Sequence, residues 1–141
     1  MRLILLGFSC SGKSTLSKIL GKMYSIDVYH LDELYWKYPW VKNEQFDITD
    51  ILTKPNWIID GNYFEENFIE RISSCDAIIY LNCPLTVRIS RMILRHIRFQ
   101  IAPKNGNPIS QKITVGFLLK TIYKHIIWQP QILNFLQKNY S

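Results

Sequence analysis

The sequence lacks three features that would place it in a specialised class of proteins. It has no apolar run near the roughly 20 residues that a helix needs to cross a bilayer, and it has no internal repeat. Its three cysteines show no C-x-x-C spacing, which argues against a disulfide framework or a zinc site. Acidic residues are few, with 11 Asp and Glu against 17 Lys and Arg. The net charge of +6 suggests an anionic partner, which a nucleotide supplies as readily as a nucleic acid does.

No stretch rich in Gly, Pro or Ser separates the chain into parts. At 141 residues, the chain has a length that suits one domain with a single core. Hydrophobic residues make up 48% of it and charged residues 20%, which are values of globular proteins. We therefore predict a single domain over residues 1–141.

The most informative motif stands near the start of the chain, where the residues spell G-x-x-x-x-G-K-S. An apolar run at Leu3–Leu6 precedes the motif, and a helical pattern follows it from about Lys13. A phosphate-binding loop requires this context, because its amides and the positive end of the helix then point at one anion. A Gly/Ser turn that matches by chance is the alternative. We predict that ATP is bound by Gly7, Ser9, Cys10, Ser11, Gly12, Lys13, Ser14 and Thr15.

The residue types in this loop fit the parts of a triphosphate. Gly7 and Gly12 permit a close approach of the backbone that a Cβ would block. The Lys13 ammonium suits the outer phosphates, and we predict it to be catalytic; the Ser14 hydroxyl suits a Mg²⁺ ion. Thr15 offers a second hydroxyl near the inner phosphate. Because the motif directly follows the first apolar residues, these cannot be a cleaved export signal, and we expect a cytoplasmic protein.

Short apolar runs alternate with helical patterns along the rest of the chain. The runs are nearly continuous in apolar residues, which is typical of parallel strands covered on both faces. Strands that alternate with helices predict an α/β fold with a parallel sheet. The predicted strands are Leu3–Leu6, Val28–Leu31, Trp57–Ile59 and Ala77–Leu81, and the predicted helices are about Lys13–Tyr24, Glu44–Leu52, Glu65–Ser73, Pro84–Phe99, Ile113–Trp128 and Gln131–Gln137.

Two acidic residues follow predicted strands, at the edge of the sheet where ligands bind in such folds. Asp60 ends the run at Trp57–Ile59, and an aspartate there can hold Mg²⁺ through a water. Asp32 follows the second strand, where a carboxylate can accept a proton from an attacking hydroxyl. An Asp-Gly turn and a helix cap are the structural alternatives. We predict that Asp60 is a metal ligand together with Ser14, and that Asp32 is catalytic and binds substrate.

Aromatic residues are dense around these acids. Rings with polar tips beside an open strand end suit a planar or sugar-like acceptor. Core packing is the competing explanation, and for any single ring it is the better one. The predicted acceptor site combines Asp32 with Tyr35, Trp36, Asn62 and Tyr63.

The fourth predicted helix carries arginines at steps of three, four and three. This spacing places Arg88, Arg91, Arg95 and Arg98 on one face, with isoleucines on another. Such a row resembles the lid helix of small kinases, in which guanidinium groups clamp transferring phosphates. A solvated basic face or a nucleic-acid patch is the alternative. We predict that the first three are catalytic and that a lid-like segment covers about residues 95–113.

Together these motifs resemble the adenylate-kinase-related "topology modulation" proteins of bacteria. The resemblance covers about residues 1–98 and, weakly, the segment around Pro130. It depends on the phosphate loop, on Val28–Asp32 with Trp36, on Trp57–Tyr63, and on Asp76–Pro84 with the arginine helix.

This resemblance implies a three-layer P-loop NTPase fold of the nucleoside/nucleotide-kinase type. It implies strand order 2-3-1-4 among the four predicted strands and a fifth strand after them, which is either absent or belongs to a longer chain of which this sequence is a truncation. It also implies ATP and Mg²⁺ as cofactors, and the family name points to an effect on DNA supercoiling. The chain departs from the family at Lys104, where further lid arginines are usual, and at Gln129, where a basic residue is usual.

Two functions follow from these patterns. The first is a kinase that transfers the γ-phosphoryl group of ATP to a small hydroxyl or phosphate acceptor, such as a nucleoside or nucleotide. The alternative is a nucleotide-binding regulatory protein that acts on DNA through its basic helix. The sequence does not identify the acceptor and indicates no membrane partner. The apolar segment Gly116–Trp128 allows a homodimer as well as a monomer.

Overall fold

The computed structural model describes residues 1–38, 41–63, 67–101 and 115–140. The chain divides into two compact units. The first contains Met1–Gly7 and Ser11–Asn82, and the second contains Phe8–Cys10 and the chain from Cys83 onward. The phosphate loop thus contributes residues to both units. A single domain over residues 1–141 stays a prediction.

Short strands and helices alternate through the first unit, and helices make up the described part of the second. In chain order the elements are β1 (Arg2–Leu6), α1 (Lys13–Tyr24), β2 (Val28–His30), α2 (Leu31–Tyr35), β3 (Trp36–Tyr38), β4 (Val41–Lys42), α3 (Thr49–Leu52), β5 (Trp57–Asp60), α4 (Phe68–Ser74), β6 (Ala77–Tyr80), α5 (Leu85–Ile101), α6 (Val115–Tyr123), a π-helical turn (Lys124–Trp128) and α7 (Gln129–Tyr140).

The first unit is built on a parallel sheet of four strands in the order β2-β5-β1-β6. Among these four strands the order is 2-3-1-4, as predicted. The two middle strands, β1 and β5, are apolar and almost fully buried, because both faces of each strand are covered. In the register of the sheet, Leu5 of β1 lies opposite Asp60 of β5, and Asp60 lies opposite His30 of β2. The carboxyl ends of all three strands are therefore level.

The hydrophobic core of this unit fixes α1 against the sheet. Leu5 and Ile58 are fully buried, and Leu16 and Leu20 of α1 pack against them. Fully burying one leucine stabilises a fold by about 1.5–3 kcal/mol. The start of α1, which follows the phosphate loop, is thereby held close to the end of β1.

Three details of the first unit differ from the prediction. Leu31 begins α2 and does not end β2. The helix predicted for Glu44–Leu52 spans only Thr49–Leu52, because the Asp47 carboxylate accepts hydrogen bonds from the Thr49 N–H and hydroxyl and starts the helix there. Strands β3 and β4 form an antiparallel pair that no pattern predicted, since strands of three and two residues are too short to show a periodicity.

The second unit contains α5, α6 and α7. In α5 the buried positions are Arg88 and Met92, with exposures of 1% and 0%, whereas Ile93 and Ile97 are about half exposed. The isoleucines share a face of the helix, as the spacing predicted, but that face is not the buried one. Arg88 takes the buried position because carbonyl and aromatic partners surround its guanidinium group.

Several predictions fall on chain that the structure does not describe. Lys104 and most of the lid-like segment at about residues 95–113 lie outside the described residues. From Cys83 to residue 140, the described residues form helices and no strand. No described helix is both long enough and apolar enough to span a membrane. All three cysteines are free thiols.

Candidate functional site

Gly7 follows β1 and has a conformation that only glycine adopts readily. Its φ is +143°, and a Cβ would lie 2.9 Å from the Leu81 carbonyl oxygen and 3.0 Å from Ser11 Oγ. The Gly7 N–H donates a hydrogen bond of 3.1 Å to Asn62 Oδ1. The first glycine of the motif is thus required by the close approach of its neighbours.

The second glycine of the motif starts α1. Gly12 has a φ of +106°, and its carbonyl accepts the N–H groups of Thr15 and Leu16 at 3.1 and 3.0 Å. Lys13, Ser14 and Thr15 follow as the first turn of a 12-residue helix that has no acidic residue in that turn. The positive end of the helix dipole is therefore not neutralised by a side chain of its own first turn.

A basic groove lies beside this helix start. It has a volume of about 310 Å³ and is lined by Ser14, Thr15, Lys18, Ile19 and Lys22. Both hydroxyl residues are exposed. The groove thus offers hydroxyl and ammonium groups to an anionic ligand next to the phosphate-loop residues of this unit.

In the second unit, two arginines of α5 bind carbonyl groups of the phosphate loop. Arg88 Nε donates to the Ser9 carbonyl at 3.1 Å, and its guanidinium carbon lies 5.2 Å from the centre of the Phe8 ring. Arg91 Nη1 donates to the Cys10 carbonyl at 3.4 Å, and Cys10 itself has a φ of +62°. These bonds fix the loop backbone in an unusual conformation.

The other predicted arginine, Arg95, is exposed on α5. Arg91 is also exposed, whereas Arg88 is buried. The spacing of the row predicted a shared face but contained no signal for this difference in burial.

Arg88 also belongs to a buried polar network of the second unit. Its Nη1 lies 3.3 Å from His125 Nδ1 in the π-helical turn, and His125 Nδ1 lies 2.6 Å from Gln129 Oε1. Gln129, a position where the family resemblance implied a basic residue, is only 7% exposed. The amide therefore completes a chain of polar contacts that ends at the Ser9 carbonyl.

Asp60 ends β5 with its side chain buried at 4% exposure. Its Oδ2 lies 3.0 Å from His30 Nδ1 on the neighbouring strand. Because Asp60 pairs with Leu5, two residues before Gly7, its carboxylate lies at the edge from which the phosphate loop begins. The sequence analysis did not identify His30 as its partner, although both residues end adjacent strands.

Asp32 lies in the first turn of α2 and accepts a hydrogen bond of 2.7 Å from the Tyr63 hydroxyl. Burial, reinforced by the bond to Asp32, raises the pKa of Tyr63 well above its ordinary value. The phenol therefore keeps its proton and acts as a donor to Asp32. No side-chain cap of α2 is present, so the helix-cap explanation of Asp32 is not the one that the structure shows.

The aromatic residues near Asp32 form a packed cluster. The Tyr35 ring centre lies 4.8 Å from that of Trp36, 4.4 Å from that of Tyr63 and 5.2 Å from that of Phe46. The ammonium of Lys42 lies 5.3 Å from the Tyr35 ring centre. The structure thus brings the predicted aromatic residues together. Because the rings contact one another, packing among themselves explains part of their clustering in the sequence.

Arg71 on α4 is a residue that the sequence analysis missed. Its guanidinium group donates to the carbonyls of Gly61, Asn62 and Tyr63 at 3.4, 2.9 and 2.5 Å, and the residue is fully buried. Burial lowers its pKa to about 10, so the side chain stays charged at neutral pH. A single arginine on a predicted amphipathic helix is usually exposed, and no pattern distinguishes this one.

Comparisons with known proteins identify the fold. No family model matches the sequence, and no curated protein matches it. The structure is similar to the crystal structure of shikimate kinase from Aquifex aeolicus VF5, with a TM-score of 0.51 and 19% identity over 94% of this chain and 98% of that chain. The topology modulation resemblance therefore stays a hypothesis from the sequence. The similarity and the strand order together show that this chain has the α/β fold of a P-loop kinase.

Proposed function

We propose that this protein is a P-loop phosphotransferase that moves the γ-phosphoryl group of ATP to a hydroxyl or phosphate oxygen of a small acceptor. One observation carries the proposal. The phosphate-loop residues of the first unit follow β1, Asp60 ends the neighbouring strand β5, and Asp32 follows β2. In parallel sheets this edge is where ligands bind, and it here carries a phosphate loop and two carboxylates. A cytoplasmic location fits ATP as the donor.

The residues present fit a triphosphate. The Leu81 carbonyl and the Ser11 hydroxyl leave no room for a side chain at Gly7, so the backbone is fixed where the loop begins. The N–H groups at the start of α1 and the Lys13 ammonium supply positive charge to phosphate oxygens. Ser9, Cys10 and Ser11 complete the loop, and the carbonyls of the first two are held by arginines.

The residues present also fit a magnesium ion. Ser14 and Asp60 offer the oxygen ligands that Mg²⁺ prefers, with His30 holding one carboxylate oxygen of Asp60 in place. When bound, Mg²⁺ neutralises phosphate charge and aligns the phosphates for transfer.

Asp32 is assigned to the acceptor. Its carboxylate takes the proton of the acceptor hydroxyl as that oxygen forms a bond to the γ-phosphorus, while the bond to the β,γ-bridging oxygen breaks and ADP leaves. Tyr63 fixes the orientation of Asp32. Tyr35 and Trp36 are assigned to the wall of the acceptor site, as is the Nδ2 group of Asn62.

The arginines of α5 have separate roles in this proposal. Arg88 is buried and bound to the Ser9 carbonyl, so it supports the loop. Arg91 and Arg95 are exposed, and their charges are assigned to the transferring phosphates in the transition state.

A screen for ADP release tests this function. Wild-type protein with MgATP is assayed against adenosine, AMP, shikimate and glycerol, and we expect one acceptor to raise ADP release well above the rate with water. Lys13→Ala should lower this rate by about 100-fold or more while the circular dichroism spectrum is unchanged. Lys138→Ala, which removes an exposed lysine of α7, is the matched control. Transfer by the Lys13→Ala variant at the wild-type rate would contradict the proposal.

A second function, a nucleotide-binding regulator that binds DNA, is favoured by the exposure of Arg91, Arg95 and Arg98 along α5. It predicts affinity for duplex DNA that falls steeply with salt. Replacing these three arginines with alanine should then reduce the salt dependence of binding. If the affinity for DNA depends on salt concentration equally in this variant and in wild-type protein, the result would argue against the DNA-binding function.

A further inference from the structure

The loop that follows β5 is held in an unusual conformation by contacts from outside it. Gly61 has a φ of +151° and Tyr63 a φ of +31°, and a residue other than glycine rarely adopts a positive φ. Such backbone persists only where surrounding contacts impose it. The contacts come from Arg71, whose guanidinium donates to three consecutive carbonyls of this loop.

Burial of this arginine indicates that the contact is specific. A charged side chain that is fully buried is costly unless hydrogen bonds compensate it. Arg71 also lies over the Phe68 ring, with the guanidinium carbon 5.5 Å from its centre. A planar guanidinium presents five donors in a fixed geometry, which suits several carbonyls at once better than an ammonium does.

The same loop carries two side chains that contact the two sides of the candidate site. Asn62 Oδ1 accepts the N–H of Gly7 at the start of the phosphate loop. Tyr63 donates to the carboxylate of Asp32 on the acceptor side. The carbonyls of both residues are bound by Arg71, so one side chain fixes the backbone from which both contacts extend.

We propose that Arg71 is a positioning residue for phosphoryl transfer, which holds Asn62 against the phosphate loop and Tyr63 against Asp32. This inference depends on the proposed phosphotransfer function. Arg71 is fully buried, so it is assigned no direct contact with a ligand. It acts through the loop backbone. It thereby keeps the phosphate loop, which binds the donor, and Asp32, which binds the acceptor, in fixed positions relative to each other.

The experiment compares Arg71→Lys, alone and combined with Asn62→Ala or Tyr63→Phe. The probes are the dissociation constant of MgATP, measured by calorimetry, and the rate of MgATP hydrolysis with water as the acceptor. We expect Arg71→Lys to weaken MgATP binding and to slow hydrolysis, each by about tenfold or more. In the Asn62→Ala background, the effect of Arg71→Lys on the dissociation constant should largely disappear. In the Tyr63→Phe background, the effect of Arg71→Lys on the hydrolysis rate should largely disappear.

A merely structural role gives a different result. In that case Arg71→Lys would reduce the folded fraction and leave the MgATP dissociation constant of the folded protein unchanged. Alternatively, the effects of Arg71→Lys would add fully to those of Asn62→Ala and Tyr63→Phe. Either result overturns the inference. Absence of MgATP binding and hydrolysis in the wild-type protein would overturn the proposed function itself. The two failures are therefore distinguishable.

If Arg71→Lys does not fold, wild-type protein provides the test. Nuclear magnetic resonance measures hydrogen exchange of the Arg71 Nε–H with and without MgATP, and the exposed Arg98 is the internal control. We expect MgATP to slow exchange at Arg71 more than at Arg98. An equal response at both arginines would overturn the inference.

Discussion

Tyr63, which follows β5, donates a hydrogen bond of 2.7 Å to Asp32, which follows β2. These strands are neighbours in the sheet, so the bond joins two loops at the same edge. It gives Asp32 a fixed orientation although the residue is exposed. An exposed carboxylate with a defined orientation is what a catalytic base requires.

The first prediction concerns this carboxylate. Asp32→Asn should lower the transfer rate by about 100-fold or more, because the amide cannot accept the acceptor proton. Its affinity for MgATP should change little. Tyr63→Phe should have a smaller effect, since it loosens Asp32 without removing it. Glu33→Gln, which neutralises the adjacent exposed carboxylate, is the control; a loss of transfer in Glu33→Gln equal to that in Asp32→Asn would contradict the assignment.

The second prediction concerns stability at high pH. Because the pKa of Tyr63 is raised above its ordinary value of 10.0 by burial and by Asp32, the folded protein keeps this proton to a higher pH than the unfolded chain does. The resulting stabilisation is complete below a pH of about 10 and is lost as the pH rises above it towards the folded pKa. Urea unfolding between pH 9 and 11 should therefore show a steeper loss of stability in wild-type protein than in Tyr63→Phe.

The matched control for this pH experiment is Tyr24→Phe, which removes a phenol that is 54% exposed on α1. Its unfolding free energy should follow that of wild-type protein. If the unfolding free energies of Tyr63→Phe and wild-type protein fall in parallel with rising pH, the pKa of Tyr63 is not raised in the folded protein, and the prediction is contradicted.

The third prediction concerns magnesium. Mg²⁺ should raise the affinity of the wild-type protein for ATP, and Asp60→Asn should remove most of this gain. The affinity for MgATP should fall by about tenfold or more, while the affinity for ATP without Mg²⁺ should change little. Calorimetry with and without Mg²⁺ measures this difference. His30→Gln should have a weaker effect in the same direction, because it releases one oxygen of Asp60. Asp50→Asn, on the exposed side of α3, controls for the loss of a negative charge, and an equal effect there would argue against a metal role for Asp60.

The fourth prediction separates two arginines of one helix. Arg88→Ala should lower the free energy of unfolding by about 3 kcal/mol, because a buried, hydrogen-bonded group is lost and its partners are left unpaired. Arg91→Ala should change that energy by less than about 0.5 kcal/mol but lower the transfer rate by about 100-fold. Urea unfolding and ADP release measure the two effects, with the exposed Arg98→Ala as the control. If Arg91→Ala transfers at the wild-type rate, Arg91 does not act on the phosphates.

Much of the fold could be predicted from the sequence. The four parallel strands are each within about a residue or two of the apolar runs that predicted them, and α1 spans the predicted Lys13–Tyr24. Continuous apolar runs and the loop motif are local signals, and they dominate wherever a strand is buried on both faces. The α/β fold was confirmed for the same reason, whereas the strand order, which is also confirmed, was implied by the family resemblance.

The contacts that organise the candidate site could not be predicted. Arg71 and Arg88 are buried because carbonyl groups from outside their own helices surround them. The sequence of a helix does not indicate which groups of other segments will contact it. The pairing of His30 with Asp60 depends on which strands are neighbours. Tertiary partners, and not local propensity, decide whether a charged side chain is buried. The catalytic and binding roles of all the site residues stay predictions.

The π-helical turn at Lys124–Trp128 has a consequence for sequence change in this protein. A wide turn accommodates one residue more than a regular α-helix does. The turn lies within one continuous helical segment from Val115 to Tyr140, so deleting one residue between His125 and Gln129 would leave them three positions apart instead of four. Residues three apart still share a face of a regular α-helix, so this segment can lose that one residue and keep the two polar groups, now 2.6 Å apart, on the same side.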